Sequence, residues 1–146
     1  KTMFVHNPID LLKFEHAILR VRYSLGLQVL NSDPDLGFSL IEETHRFVID
    51  WHAYVEDKYV FPLIGEKAKP FSNDHLLIKN YGKGAIEQRR KDWIERYVKI
   101  VLDHNSNEER ELFSIEANFM KNWELIISEM KKFNDYSKIT GLKELP

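Results

Sequence analysis

The chain has 146 residues, of which 43% are hydrophobic and 30% charged, with 21 basic residues against 23 acidic ones. That length suits one domain around a single core (1–146), and the near balance of charge argues against a nucleic-acid or anionic-membrane footprint. The absence of cysteine excludes disulfide scaffolds, thiolate zinc sites, iron–sulfur clusters and cysteine nucleophiles together.

No apolar run approaches the roughly 20 residues of a membrane helix. The opening stretch, from Lys1 to His16, has no apolar signal region, so a secretory leader is not expected there and a cytoplasmic setting is. Pro8 in a first turn with Asn7 as its cap opens a helix from Ile9 to about Leu30, through Leu12, Ile18, Leu19, Leu25 and Val29. A break at Asp33–Gly37 leads to a second helix, from about Phe38 to Ile64, which Gly65 ends. A third starts near Ser72–Asp74 and passes Leu76, Leu77 and Ile86, with Gly82 and Gly84 inside it. Asp92 with Glu95 resembles a capping box that opens a fourth, through Trp93, Tyr97, Ile100, Val101, Leu112 and Phe113. Apolar spacing continues over Phe119, Met120, Trp123, Ile127 and Met130, either as the same helix or as a fifth. Lys138 to Pro146 reads as a tail. The expectation is an all-α, up-down-up-down four-helix bundle over about 8–120, with a C-terminal helical extension over about 121–146.

Two segments share one pattern, His-x-x-x-Glu-acid-x-x-x-Phe: His52, Glu56, Asp57 and Phe61 in the second helix, and His104, Glu108, Glu109 and Phe113 in the fourth. Four residues advance a helix by slightly more than one turn, so each His stacks with its Glu on one face. Imidazole beside carboxylate is a donor set for zinc, iron or manganese rather than calcium. Register brings the segments together. In antiparallel helices two residues share a depth when the turn falls midway between them. The midpoint of His16 and His52 is Pro34; that of His52 and His75 lies beside Gly65; that of His75 and His104 falls just before Asp92. One histidine from each helix therefore joins a single layer, with Glu56 and Glu108 one turn along. Four imidazoles and two carboxylates are the donors of a dinuclear site, the carboxylates placed to bridge.

On these residues, with Asn7–Leu12 leading to Glu15-His16 and with Asp74-His75, the chain resembles the hemerythrin-like, or HHE cation-binding, domain family over about residues 7 to 120. The resemblance implies a non-haem centre of two iron ions with an oxo or hydroxo bridge, ligated by His16, His52, Glu56, His75, His104 and Glu108; manganese or zinc would fit the same donors. It implies a small diatomic or peroxide ligand, and binding or sensing of dioxygen, nitric oxide or peroxide, or the handling of iron. Oxygen carriers of the family have a His-x-x-x-His pair on the third helix, where this chain has Lys79 after His75. Four histidines with two glutamates look more like the iron-centre-repair branch.

His6, outside the first helix, is expected to be structural or solvated, and His45 a core-edge histidine. Asp57 and Glu109 are expected at the edge of the ligand face, hydrogen-bonded to ligand imidazoles. Leu12, Leu19, Ile49 and Ile100 would restrict solvent, and Tyr23 and Tyr97 are candidates to face the site. No nucleophilic triad or phosphate loop is present, so any catalysis would be redox chemistry at the metal. The alternative is a metal- or redox-dependent interaction module without turnover, with the stripe at Phe119–Met130 either packed against its own bundle or forming a homodimer contact. A ferritin-like oxidase is disfavoured, because it needs two Glu-x-x-His motifs and only Glu42 with His45 supplies one.

Overall fold

Asn7 Oδ1 accepts the Asp10 amide at 2.9 Å and Pro8 takes the first turn, so helix α1 (Pro8–Leu30) begins where the sequence signals a start. The computed structural model describes residues 5–144; Lys1–Phe4 and the last two residues of the expected tail, Leu145 and Pro146, lie outside the described residues. Among the described residues the chain is helical without strands, in agreement with the all-α expectation. No helix among them is long and apolar enough to cross a membrane.

The second helix, α2, covers residues 34–64 and starts earlier than expected. Asp33 caps it through the Leu36 amide and Pro34 sits in its first turn. Gly37 lies inside the helix rather than in the break, because the chain passes Leu30 so closely that a Cβ there would lie 2.7 Å from the Leu30 backbone. Gly26 serves the same contact further along, where a Cβ would meet Ile41 Cδ1 at 2.6 Å. Gly65, at φ +94°, ends α2.

Helix α3 (Lys69–Glu87) begins before the expected Ser72–Asp74 cap, with Pro70 in its first turn. The Asp74 carboxylate is engaged elsewhere, by His104. The expected capping box at Asp92 does not form. The Arg90 guanidinium holds both Asp92 oxygens at 2.9 and 3.1 Å, and α4 (Lys91–Glu111), with Arg90 at its cap position, starts two residues earlier than that box implies. Helix four therefore ends before the C-terminal stripe. A turn and a short 3₁₀ stretch (Phe119–Asn122) separate it from α5 (Trp123–Lys132). A further helix, α6 (Tyr136–Thr140), begins just before the expected tail and takes in its first three residues, with Tyr136 and Ile139 buried.

The four long helices pack in a ring of contacts: α1 on α2, α2 on α3, α3 on α4 and α4 on α1. Leu11, Leu12, Leu19, Ile41 and Ile94 are wholly enclosed between them, each contributing roughly 1.5–3 kcal/mol by leaving water. Leu25, Leu76 and Leu77, counted in the apolar stripes, are exposed. Of the C-terminal stripe, Trp123 and Met130 are buried by this same chain, Phe119 and Ile127 are half-buried, and Met120 stays exposed.

Candidate metal centre

Each long helix delivers one histidine to the interior: His16 from α1, His52 from α2, His75 from α3 and His104 from α4, all buried, with Glu56 and Glu108 wholly enclosed beside them. They form two overlapping groups, His16, His52, Glu56 and Glu108, and Glu56, His75, His104 and Glu108. Within each group, one donor atom from every residue lies within 4.8 Å of the others. Both glutamates belong to both groups, which is the geometry of a bridge. Across the layer His16 Nε2 stands 3.2 Å from His52 Nε2 and 3.1 Å from Glu108 Oε1, and His75 Nε2 is 2.9 Å from Glu56 Oε1.

The local backbone is not the regular helix the spacing assumes. Residues Val48–His52 and Glu56–Val60 form π-helical turns, so His52 and Glu56 each sit at the end of a widened turn. Such turns recur at functional sites because they reposition side chains within an otherwise continuous helix.

Every imidazole is held from behind. His16 Nδ1 pairs with Glu109 at 2.7 Å, His52 Nδ1 with Glu15 at 2.7 Å, His75 Nδ1 with Asp57 at 2.8 Å and His104 Nδ1 with Asp74 at 3.1 Å. A carboxylate facing Nδ1 fixes the proton there and turns the Nε2 lone pair inward. The expectation for Asp57 and Glu109 is met, although each serves the histidine of another helix, not its own. Phe61 and Phe113 do the same, stacking on His75 and His16 with ring centroids 5.6 Å apart in both cases. Each repeated segment thus supplies a His and a Glu to the layer, and an acid and a Phe that hold a neighbour's imidazole.

Sequence reasoning overlooked the reciprocal half. The acid before each lone histidine, Glu15 or Asp74, receives the Nδ1 of the His-x-x-x-Glu histidine. The signal was the acid–His dipeptide occurring at both lone histidines. Glu15 does more than Asp74: it is wholly buried and also accepts Trp51 Nε1–H and the Tyr136 hydroxyl, each at 2.8 Å.

The charge balance asks for a cation. Glu56 Oε2, both Glu108 oxygens and His104 Nε2 are buried without a hydrogen-bond partner, and unpaired buried polar atoms are costly. Burial alone would depress His52 and His75, but Glu56 and Glu15 hold His52 up at about 10, and Asp57 and Glu56 hold His75 up at about 9. Burial and then the His52 charge keep His16 well below the ordinary imidazole value. Burial raises Glu108, and the neighbouring Glu56 charge raises it further. Protons on His52 and His75 thus supply the positive charge that the carboxylates otherwise lack. The donor set, the inward Nε2 atoms and the unpaired oxygens all fit a bound metal ion.

His6 is exposed, as expected. His45 is buried and belongs to neither group; its Nδ1 is hydrogen-bonded to the Tyr97 hydroxyl at 2.6 Å. Tyr97 is hydrogen-bonded in turn to Tyr23. Burial lowers His45 to about 4. An unfolded histidine takes its proton near pH 6.5, so the folded state loses stability as pH falls from about 6.5 through 4, by about 3 kcal/mol in full. Urea melts of chelator-treated protein at pH 7 and pH 4.5 should show a loss that is larger in the wild type than in His45→Gln by most of this amount. Equal losses in both would refute the assignment.

Comparison with family models, with curated proteins and with solved structures found no match to this chain.

Proposed function

We propose that the chain is a hemerythrin-like protein: an up-down-up-down four-helix bundle, α1 to α4, extended by the C-terminal helices and holding two iron ions in its buried layer. His16 and His52 serve mainly one ion, and His75 and His104 mainly the other. Glu56 and Glu108 bridge the pair. The function is to bind or sense a small oxidant: dioxygen, nitric oxide or peroxide. The observation that carries this reading is that all four imidazoles have Nδ1 facing a carboxylate, which turns their Nε2 atoms into the two overlapping donor groups. When bound, the metal ions would supply redox and small-ligand-binding chemistry. The chain's own residues orient the donors, exclude water through Leu12 and Leu19, and set the size of what enters. A surface cleft of about 480 Å³, lined in part by Ile49, Ala53, Asp57 and Ser72, reaches His75, and only a small molecule could pass the enclosed side chains behind it.

Metal analysis of protein from its native host should find two iron ions per chain. Its optical spectrum should change between the reduced and oxidised states and on exposure to dioxygen, nitric oxide or peroxide. Protein that takes up no iron, or iron-loaded protein whose spectrum is indifferent to all three, would end this reading.

A second reading, a metal-dependent interaction module, draws on the Tyr136 hydroxyl, which ties α6 to Glu15 and through it to His52. A change at the centre would then reach the C-terminal surface. An association state that shifts with metal, without any response to oxidants, would favour it.

A further inference from the structure

Seven residues from each of the four histidines along its own helix lies a second polar layer. His16 leads to Tyr23, His52 back to His45, His75 on to Gly82 and His104 back to Tyr97. Seven residues at 1.5 Å each put this layer about 10 Å from the histidines along the helix axes. Tyr23 and Tyr97 are wholly enclosed and His45 nearly so. They form one hydrogen-bonded line, Tyr23 to Tyr97 to His45 Nδ1. Gly82 occupies the fourth position because nothing larger fits: a Cβ there would lie 2.6 Å from the Tyr97 ring and from His45 Nδ1. The His45 ring borders a surface cleft of about 220 Å³ that includes Glu42, Asp50, Lys79 and Glu87.

Phenylalanines and a leucine would fill this layer at lower cost, since buried polar groups gain little net stability even when satisfied. Its chemistry is specific: a phenol, screened from water, donating to a neutral imidazole whose other side reaches toward the surface. Burial holds both phenols well above the ordinary tyrosine range, so neither loses its proton alone. Removing an electron from such a phenol requires a base in contact to receive the proton. Tyr136 is differently placed, because its acceptor Glu15 is already shared by Trp51 and His52.

We propose that Tyr97 and His45 form a proton-coupled redox pair that donates one electron to the metal centre. This rests on the metal reading above. In the step, the Tyr97 O–H bond breaks and an N–H bond forms at His45 Nδ1. The electron from the phenol is one of the two that hydrogen peroxide takes up as its O–O bond breaks to two hydroxides; the second would come from iron(II) bound at the centre, which would be left as iron(III). Tyr97 is left as a neutral phenoxyl radical and His45 as an imidazolium. Tyr23, donating to the Tyr97 oxygen, positions the phenol and stabilises the radical.

The test has two arms, both read by EPR and by the optical band of a neutral tyrosyl radical. In one, iron(II)-loaded protein is mixed with hydrogen peroxide and frozen. In the other, metal-free protein is oxidised by light with a ruthenium polypyridyl sensitiser and persulfate. The wild type should give the radical in both arms. Tyr97→Phe, which keeps the ring and so the packing, should lose it. His45→Gln, which keeps a hydrogen-bond acceptor but not a base, should lose it too, while Tyr23→Phe and Tyr136→Phe retain it. A signal that survives Tyr97→Phe, disappears only in Tyr136→Phe, or is indifferent to His45→Gln overturns the proposal. A layer that merely fixes helix register would show that indifference. If iron binds and neither arm gives this radical, the pair is refuted and the metal reading stands. If no iron binds yet the photochemical arm gives a His45-dependent Tyr97 radical, the proton-coupled pairing of Tyr97 with His45 stands, while its role as donor to a metal centre falls with the metal reading.

Discussion

Replacing Glu56 and Glu108 together by alanine should abolish paired metal binding while the chain stays helical. Each donor group contains both glutamates, so the double variant leaves only two imidazoles for each ion and no bridge between them. The loss should exceed the 10–100-fold that follows removal of a residue that only orients a ligand. Isothermal titration with iron(II) or zinc would measure it, and the same experiment reads protons. His75 and His52 are held up at about 9 and about 10 in the metal-free protein, and Glu108 is raised well above the carboxylate range. Ligation requires their deprotonated forms. Wild-type protein should therefore release protons on taking up metal at pH 7, and its apparent affinity should climb as pH rises toward 9. Titrations in buffers of different ionisation enthalpy count the protons. A double variant that still binds two ions would reject the bridging assignment.

Much of this site was legible because its residues obey helical arithmetic. The midpoint rule needs only that helices turn back on themselves, and it put His16, His52, His75 and His104 at one depth without any knowledge of caps. Boundaries were less legible, because capping residues have more than one use. Asp74 looks like an N-cap but accepts from His104, and Asp92 looks like one but is held by Arg90. Gly37 reads as a turn residue, yet it is a point where two helices touch. The π-helical turns at Val48–His52 and Glu56–Val60 left no sequence signal, since Val, Ile, Trp and Tyr suit either winding. The role of α6 was hidden for a different reason. Tyr136 meets Glu15 across 121 positions of chain, and no local periodicity encodes such a contact.

Glu15→Ala should be the most damaging single substitution outside the donor set, costing about 3–5 kcal/mol of stability and 10–100-fold in metal affinity. One carboxylate, wholly enclosed, accepts from His52 Nδ1, Trp51 Nε1 and the Tyr136 hydroxyl. Its loss leaves three buried donors with no water to replace it, frees the His52 ring to turn, and unfastens α6 from the core. Asp74→Ala is the matched control. Asp74 plays the same part for His104, but its side chain is 48% exposed, so water can take over the hydrogen bond and the stability cost should stay below about 1 kcal/mol. Glu15→Gln separates orientation from burial. The amide oxygen can still accept from Trp51 and Tyr136, but its NH₂ group would face His52 Nδ1–H, donor against donor. This variant should keep more stability than Glu15→Ala while recovering little metal affinity. Urea melts and metal titrations on the three variants test both halves. Glu15→Ala and Asp74→Ala proteins of equal stability would mean that enclosure of the carboxylate, rather than its place in the symmetry of the site, had been given the wrong weight.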